Sequence, residues 1–285
     1  MIDIPIIDTH LHIWDPERLH YAWLADVPTI AGAHLPADYR RATEGLPIEK
    51  MVFLQCEVDA AQYEEEVAWV SEQAKEDPRI QGIVAWAPLE QGGPARDALT
   101  ALCAQYPLLR GIRRLIQFED DTEFCLRPDF IRGVQLLSEF NLSFDLCIKG
   151  DEQVKNTLRL VQKCPEVNFI LDHIGNPFIK EGIMEPWAGY IRELAALPNT
   201  WCKISGVVTG ADMDNWTPDD IRPYLDHVLG SFGFDRVAFG GDWPVVTLAS
   251  NYRRWIETLW DAVSECTDGE RRKLFYENAA AFYRV

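Results

Sequence analysis

Short apolar runs alternate along the chain with longer segments in which apolar residues recur every three or four positions. The short runs have the length of buried strands, whereas the longer segments have the periodicity of helices that pack one face on a core. Strands that alternate with single helices are typical of a parallel sheet built from βαβ units. Eight such runs occur at nearly even spacing: Pro5–Thr9, Met51–Cys56, Gly82–Ala87, Leu109–Leu115, Leu142–Ile148, Val167–Asp172, Thr200–Ser205 and Arg236–Gly240.

Eight evenly spaced units of this kind predict an α/β fold, the (β/α)8 TIM barrel. Several of the helical segments begin with Pro or Asp, as helices commonly do. No linker-like change of composition interrupts the series, so residues 1–285 are predicted to form a single barrel domain. The predicted helices are Ala60–Asp77, Pro94–Gln105, Pro128–Phe140, Asp151–Lys163, Pro186–Ala195, Thr217–Ser231, Asn251–Glu265 and Asp268–Phe282.

The longest stretch without a clear period, about Ile13 to Glu49, follows the first predicted strand. Long loops in compact domains are usually functional. We therefore expect an irregular segment that folds over the mouth of the barrel.

Composition and charge exclude some kinds of binding partner. Of the 285 residues, 47% are apolar and 25% charged, as in an ordinary globular protein. The net charge of −18 repels nucleic-acid phosphates and anionic lipids, so neither nucleic acid nor membrane is expected as a partner. The N-terminus lacks the pattern of a signal peptide, which favours a cytoplasmic location. The seven cysteines form no C-x-x-C pair and are interpreted as reduced core thiols. The sequence does not decide between a monomer and a homo-oligomer.

Catalytic side chains of this fold lie at the carboxyl ends of the strands, so the polar residues at these ends are the candidates. The first strand ends in a D-x-H-x-H motif, in which side-chain alternation directs Asp8, His10 and His12 to one face. His173 ends the sixth strand and Asp242 follows the eighth. Imidazoles and a carboxylate gathered at one mouth indicate catalysis or metal binding.

Two adjacent polar residues end the sixth strand. Because neighbouring residues on a strand face opposite sides, only one of them is expected to face the barrel interior. We expect His173 to face inward and Asp172 to have a packing or orienting role.

These motifs resemble the amidohydrolase superfamily. The segments Ile7–Glu17, Tyr21–Ala25, Leu109–Arg113, Leu171–Phe178 and Phe239–Val246 are similar to its amidohydrolase-2 branch of sugar-lactone and pyrone-dicarboxylate lactonases, and the similarity runs nearly end to end. The H-x-W-D-P motif near the N-terminus and the G-D-W-P motif after the eighth strand resemble those of L-fuconolactonase- and L-rhamnonolactonase-like members. The resemblance implies hydrolysis of an aldonolactone in carbohydrate catabolism.

The chain departs from the two-metal pattern of that superfamily. Two-metal members use a Lys from the fourth strand and a His from the fifth, and neither residue type is present in the corresponding run here. The remaining His10, His12, His173 and Asp242 form a set that suits at most one divalent ion, with zinc first among the candidates. The resemblance also implies that action without metal is common in this branch, so activity is expected largely to survive a chelator.

The leading hypothesis is a lactonase in which water attacks the ring carbonyl. Asp242 is expected to have an ordinary pKa, to be ionised at neutral pH and to accept the proton of the attacking water. His10, His12 and His173, together with Arg113, are expected to stabilise the oxyanion.

Other strand ends offer substrate contacts. Gln55 and Glu57 follow the second strand and are candidates for binding sugar hydroxyls. Trp14, Trp86 and Trp243 are candidates for stacking on the sugar ring. Because Arg113 is the one obvious cation at the mouth, a neutral aldonolactone is favoured over a dicarboxylate pyrone.

Two alternatives remain open at this point. Metal-dependent non-oxidative decarboxylases of the same branch resemble this barrel, although they tend to begin the first motif with Glu where this chain has Asp8. Release of carbon dioxide that stops with a chelator would favour them. The third reading is a barrel that binds a ligand without turning it over.

Overall fold

The computed structural model describes residues 2–285 and contains one eight-stranded parallel sheet. The strands pair in chain order, each with its neighbour in sequence. All eight predicted strands are confirmed. They are β1 Ile6–Leu11, β2 Ile48–Leu54, β3 Ile80–Ala85, β4 Leu109–Ile112, β5 Ser143–Leu146, β6 Phe169–Leu171, β7 Thr200–Ile204 and β8 Val237–Phe239.

The sheet closes on itself where β1 meets the chain that follows β8. The amide of Asp242 donates to the carbonyl of His10 at 2.8 Å, and the amide of His12 donates to the carbonyl of Trp243 at 2.8 Å. The (β/α)8 TIM barrel is therefore confirmed. The same two bonds place His10, His12 and Asp242 beside one another at the seam.

Helices surround the barrel at the predicted positions. Local capping fixes several of their starts; for example, the carboxylate of Asp220 accepts the amide of Thr217 at 2.7 Å where a long helix begins. The last predicted helix, Asp268–Phe282, is divided by a π-helical stretch at Lys273–Glu277. The helices are α1 Pro36–Ala42, α2 Tyr63–Glu76, α3 Ala95–Gln105, α4 Pro128–Leu136, α5 Asp151–Lys163, α6 Trp187–Ala195, α7 Pro218–Phe232, α8 Tyr252–Ala262, α9 Asp268–Arg272 and α10 Asn278–Tyr283.

The segment from Ile13 to Glu49 is more ordered than its sequence suggests. It contains α1 and two short 3₁₀ turns, Ala22–Asp26 and Pro28–Ile30, so the expectation of an irregular loop is wrong in this respect. The physical reason is burial, because apolar side chains of this segment such as Tyr39 join the main hydrophobic core.

Two further observations bear on the class of protein. All seven cysteines are free thiols and five of them are buried, as predicted. Within residues 2–285, no helix combines the length and apolarity needed to cross a membrane.

Candidate active site

A cavity of about 420 Å³ lies at the carboxyl ends of the strands. Six of the residues predicted for the site line it. They are His12, His173, Asp242, Arg113, Glu57 and Trp14. His10 is fully buried directly beside this group.

The two histidines of β1 direct nitrogen atoms toward each other. His12 Nδ1 lies 2.8 Å from the carbonyl oxygen of Leu54, so Nδ1 carries the proton and Nε2 is a bare acceptor. His10 Nε2 lies 3.4 Å from Arg113 Nη1, which can only donate, so this nitrogen is an acceptor as well. The two Nε2 atoms are only 3.1 Å apart, and two lone pairs therefore face each other.

Asp242 completes this cluster. Its Oδ1 lies 3.7 Å from His10 Nε2 and 3.8 Å from His12 Nε2. Burial raises the pKa of this carboxyl well above its ordinary value; Arg113 opposes the rise and Asp172 adds to it. The prediction that Asp242 has an ordinary pKa is therefore wrong, because the side chain is almost fully removed from water.

The chain after β8 needs glycines to bring Asp242 to this position. A Cβ at Gly240 would lie 2.7 Å from the Cβ of His10, and a Cβ at Gly241 would lie 2.4 Å from Asp8 Oδ2. Asp242 itself has a φ of 54°, which turns the chain sharply at the cavity. Asp8 is buried and does not line the cavity, so the first residue of the motif does not share the role of the two histidines.

The donor set fits one divalent cation. Two bare imidazole nitrogens and a carboxylate oxygen lie 3.1 to 3.8 Å apart, and ligands of tetrahedral zinc are separated by about 3.3 Å. A cation between them would remove the repulsion between the lone pairs and favour the ionised form of Asp242. His173 was predicted as a fourth ligand, but its Nδ1 lies 3.1 Å from Ser205 Oγ, and it groups with His10 and Asp172 instead.

Asp172 and His173 both reach the interior, so the expectation that only one could do so is wrong. The strand ends at Leu171, and His173 has a φ of 54°, which breaks the alternation of side chains. Asp172 Oδ1 lies 3.5 Å from His10 Nδ1, which agrees with the predicted orienting role. Burial lowers the pKa of His173 to about 4, so this imidazole is neutral at pH 7.

A buried charge cluster beneath the cavity was not assigned a role from the sequence. Lys203 Nζ lies 2.5 Å from Asp145 Oδ2 and 3.1 Å from Asp172 Oδ1, and all three side chains are fully buried. The hydroxyl of Tyr283 donates to Asp145 at 2.7 Å. Although burial acts in the opposite direction, Lys203, His10 and Arg113 together hold the pKa of Asp172 well below its ordinary value. Alternation along β5 and β7 could have suggested that Asp145 and Lys203 face inward.

The predicted substrate-binding residues divide into two groups. Arg113 and Glu57 line the cavity. Gln55 does not line it: its side-chain amide donates to Glu57 Oε1 at 2.8 Å and its Oε1 accepts the Glu57 amide at 2.6 Å. Gln55 therefore orients Glu57 and is not one of the predicted residues that the structure brings to the cavity wall.

The aromatic candidates also divide. Trp14 lines the cavity, together with Trp23, which was not among the predicted site residues. Trp86 and Trp243 do not line it. The ring of Trp86 packs against Tyr63, and that of Trp243 packs against His34 and Tyr39, with ring centres 5.4 and 5.5 Å away. The ring of Trp243 is thus covered by Tyr39 of α1 and lies outside the cavity that the other predicted residues line.

Comparison with known proteins identifies the family of this chain. The sequence matches the amidohydrolase family over residues 7–285. The chain belongs to this family. Among relatives of this amidohydrolase, an uncharacterized protein of Sinorhizobium fredii is 33% identical over the full length of both chains. L-fucono-1,5-lactonase of Burkholderia multivorans is 31% identical, covering 98% of this chain and 96% of its own.

A solved structure of similar shape contains zinc. It is an amidohydrolase from Burkholderia multivorans with bound zinc, 28% identical, with a TM-score of 0.89 and coverage of 99% of this chain and 100% of that chain. The resemblance drawn from the sequence motifs is thus confirmed at the level of the family.

Proposed function

We propose that this amidohydrolase hydrolyses a neutral sugar lactone to the corresponding aldonic acid. The observation that carries the proposal is the cluster of His10, His12 and Asp242 at a cavity where Arg113 is the one lysine or arginine among the described lining residues. The similarity to an L-fucono-1,5-lactonase over nearly the whole chain supports a cyclic ester as the substrate.

One divalent ion, with zinc as the first candidate, would be held by His10, His12 and Asp242. When bound, it would supply a Lewis acid that polarises oxygen atoms of the substrate or of water. The sequence-based expectation of activity without metal came from the missing strand-four Lys and strand-five His and from the resemblance. Burial of Asp242, which opposes its ionisation when no cation is near, argues against that expectation. We therefore expect the enzyme to need the ion.

The protein's own groups account for the proton transfers. The carboxylate of Asp242 accepts a proton from the attacking water at Oδ2, the oxygen that does not face the two histidines, and later returns it to the ring oxygen, which leaves as an alcohol. In the tautomer where the Ser205 hydroxyl donates to His173 Nδ1, the Nε2 of His173 carries a proton that can be donated to the carbonyl oxygen. The guanidinium of Arg113 borders the same space and adds positive charge there.

The charges of the cavity favour a neutral substrate. Among the described residues that line it, Arg113 is the single lysine or arginine, and Glu57 and Asp242 bring carboxyl groups. Arg113 is already engaged by Asp172 at 3.4 Å. A dicarboxylate would need several free cationic partners, whereas sugar hydroxyls can bind to mixed donors and acceptors.

A pH-indicator assay tests the proposal, since each ring opening releases an acid. L-fucono-, L-rhamnono- and L-galactono-lactones are compared with 2-pyrone-4,6-dicarboxylate. Asp242→Asn should lower kcat by about 10² to 10⁴-fold, as expected when a general base is removed, and leave KM nearly unchanged. Glu57→Gln is the matched control, because this carboxyl lines the same cavity outside the histidine cluster.

Two results would count against the proposal. Near-wild-type kcat in folded Asp242→Asn protein would place water activation elsewhere, with Glu57 the next candidate. Release of carbon dioxide from a carboxylated substrate, without turnover of any lactone, would favour the decarboxylase alternative.

A further inference from the structure

A second cavity of about 520 Å³ adjoins the first on its outer side. The two cavities share five lining residues: Gln117, Phe118, His173, Asn176 and Thr209. Cavities that bind drug-sized ligands measure about 300 to 1,000 Å³. A single deoxysugar lactone at the histidine cluster would leave the outer cavity empty.

The outer cavity carries most of the exposed large apolar side chains in the part of the chain that the structure describes. Phe118 is 74% exposed, Met213 48% and Phe178 41%, and all three line this cavity. They come from three different loops, which follow β4, β6 and β7. Apolar side chains from separate loops that gather at the entrance of a catalytic cavity mark a ligand-binding surface.

Polar groups of both signs lie between these apolar side chains. Two lysines and three acids line the outer cavity: Lys149, Lys180, Glu181, Asp212 and Asp214. An anionic group would be repelled by the excess of carboxylates, and a purely apolar group would leave the charged side chains without polar partners. A pyranose ring suits such a surface, because its C–H face can stack on Phe118 while its hydroxyls donate to acids and accept from lysines.

We propose that the outer cavity binds a second, neutral sugar residue attached to the lactone, so that the preferred substrate is a glycosylated aldonolactone. This inference rests on the proposed lactonase function. The lactone ring would occupy the inner cavity at His10, His12 and Asp242, and the attached sugar would lie across His173 and Asn176 against Phe118 and Met213.

The test compares each aldonolactone with its glycosylated counterpart, using D-gluconolactone against cellobionolactone and lactobionolactone as the first set. Wild-type protein should show kcat/KM about three- to tenfold higher for the glycosylated lactone, the range expected for one stacked ring. Phe118→Ala and Met213→Ala should reduce this ratio toward one. Ile183→Ala is the matched control, because Ile183 is 43% exposed and lies outside both cavities.

A second measurement separates this inference from the proposed function. Calorimetry compares binding of cellobionic acid and gluconic acid to wild type and Phe118→Ala, without any turnover. Tighter binding of the glycosylated acid that depends on Phe118 would support the outer site even if no lactone were hydrolysed. Hydrolysis of simple lactones with no preference for glycosylated ones, and no effect of Phe118→Ala or Met213→Ala, would overturn the inference and leave the lactonase function standing.

Discussion

Replacing Lys203 with Met tests whether the buried charges beneath the cavity support the site. The ammonium group lies 2.5 Å from Asp145 and 3.1 Å from Asp172, and none of the three side chains is exposed. Removing one partner of a buried ion pair costs about 3 to 5 kcal/mol, since the remaining charge is left uncompensated. Because Asp145 loses its ammonium partner while Asp172 keeps Arg113, we expect a loss of unfolding free energy of about 4 kcal/mol, within this range.

The double variant Lys203→Met/Asp145→Asn is the matched control. It removes one ammonium and one carboxylate together, and Asp172 keeps Arg113 at 3.4 Å. The amide oxygen at position 145 can still accept the hydroxyl of Tyr283, which donates to Asp145 at 2.7 Å in the wild type. We therefore expect the double variant to be more stable than the single variant, which simple loss of packing would not produce.

The effect on activity should follow a defined pattern. Lys203 lines neither cavity, so KM should change little. Asp172 lies 3.5 Å from His10 Nδ1, and its displacement should misorient that imidazole and lower kcat. Urea denaturation at pH 7 and lactone kinetics on the folded protein measure both effects. A stability loss below about 1 kcal/mol, or a double variant no more stable than the single one, would refute the assigned role of the ammonium group.

Three further predictions follow from other parts of the structure. Burial raises the pKa of Glu66 from 4.5 to about 8. Its carboxyl is therefore protonated in the folded state at pH 7 and ionises on unfolding, so Glu66→Gln should gain about 3 kcal/mol at pH 7 and nothing at pH 4; equal gains in denaturation curves at both values would contradict this. Dialysis against a chelator should lower kcat at least about tenfold, with recovery on one equivalent of zinc, and unchanged kcat in protein shown to be metal-free would exclude the metal-dependent mechanism. Trp243→Phe should lower the thermal midpoint without changing KM, because the ring of Trp243 lies outside the cavity, and a raised KM would return this residue to the substrate site.

The barrel and the centre of the site follow from local features of the sequence. Short apolar runs and helical periodicity are set by which residues are buried, and eight repeats of the two leave few topologies other than a closed barrel. The strand-end rule then brings His10 and His12 to the mouth, and Asp242 meets them because the seam joins the first strand to the last. These predictions need no knowledge of side-chain packing.

The features that were mispredicted depend on packing and on backbone conformation. No local pattern indicates that His173 has a left-handed backbone, which lets it enter the interior beside Asp172. Trp243 comes just after the last strand in sequence, a position typical of residues that contact a ligand in this fold. Its ring is nevertheless covered by Tyr39 of α1. The raised pKa of Asp242 is equally invisible in the sequence, since it comes from enclosure by residues distant along the chain.

The role of Asp8 explains how the seam is held in register. Its carboxylate accepts the hydroxyls of Tyr39 and Tyr252 at 2.8 Å each, and the backbone amides of His10 at 2.9 Å and Gly241 at 2.7 Å. One buried side chain thereby ties the histidine strand to the turn that carries Asp242, the proposed general base, and it fixes both to α1 and α8. Since Gly241 leaves no room for a Cβ beside this carboxylate, the first and last motifs of the sequence act as one structural unit. The D-x-H-x-H motif therefore combines two functions, with its histidines at the candidate metal site and its aspartate holding the closed barrel around them.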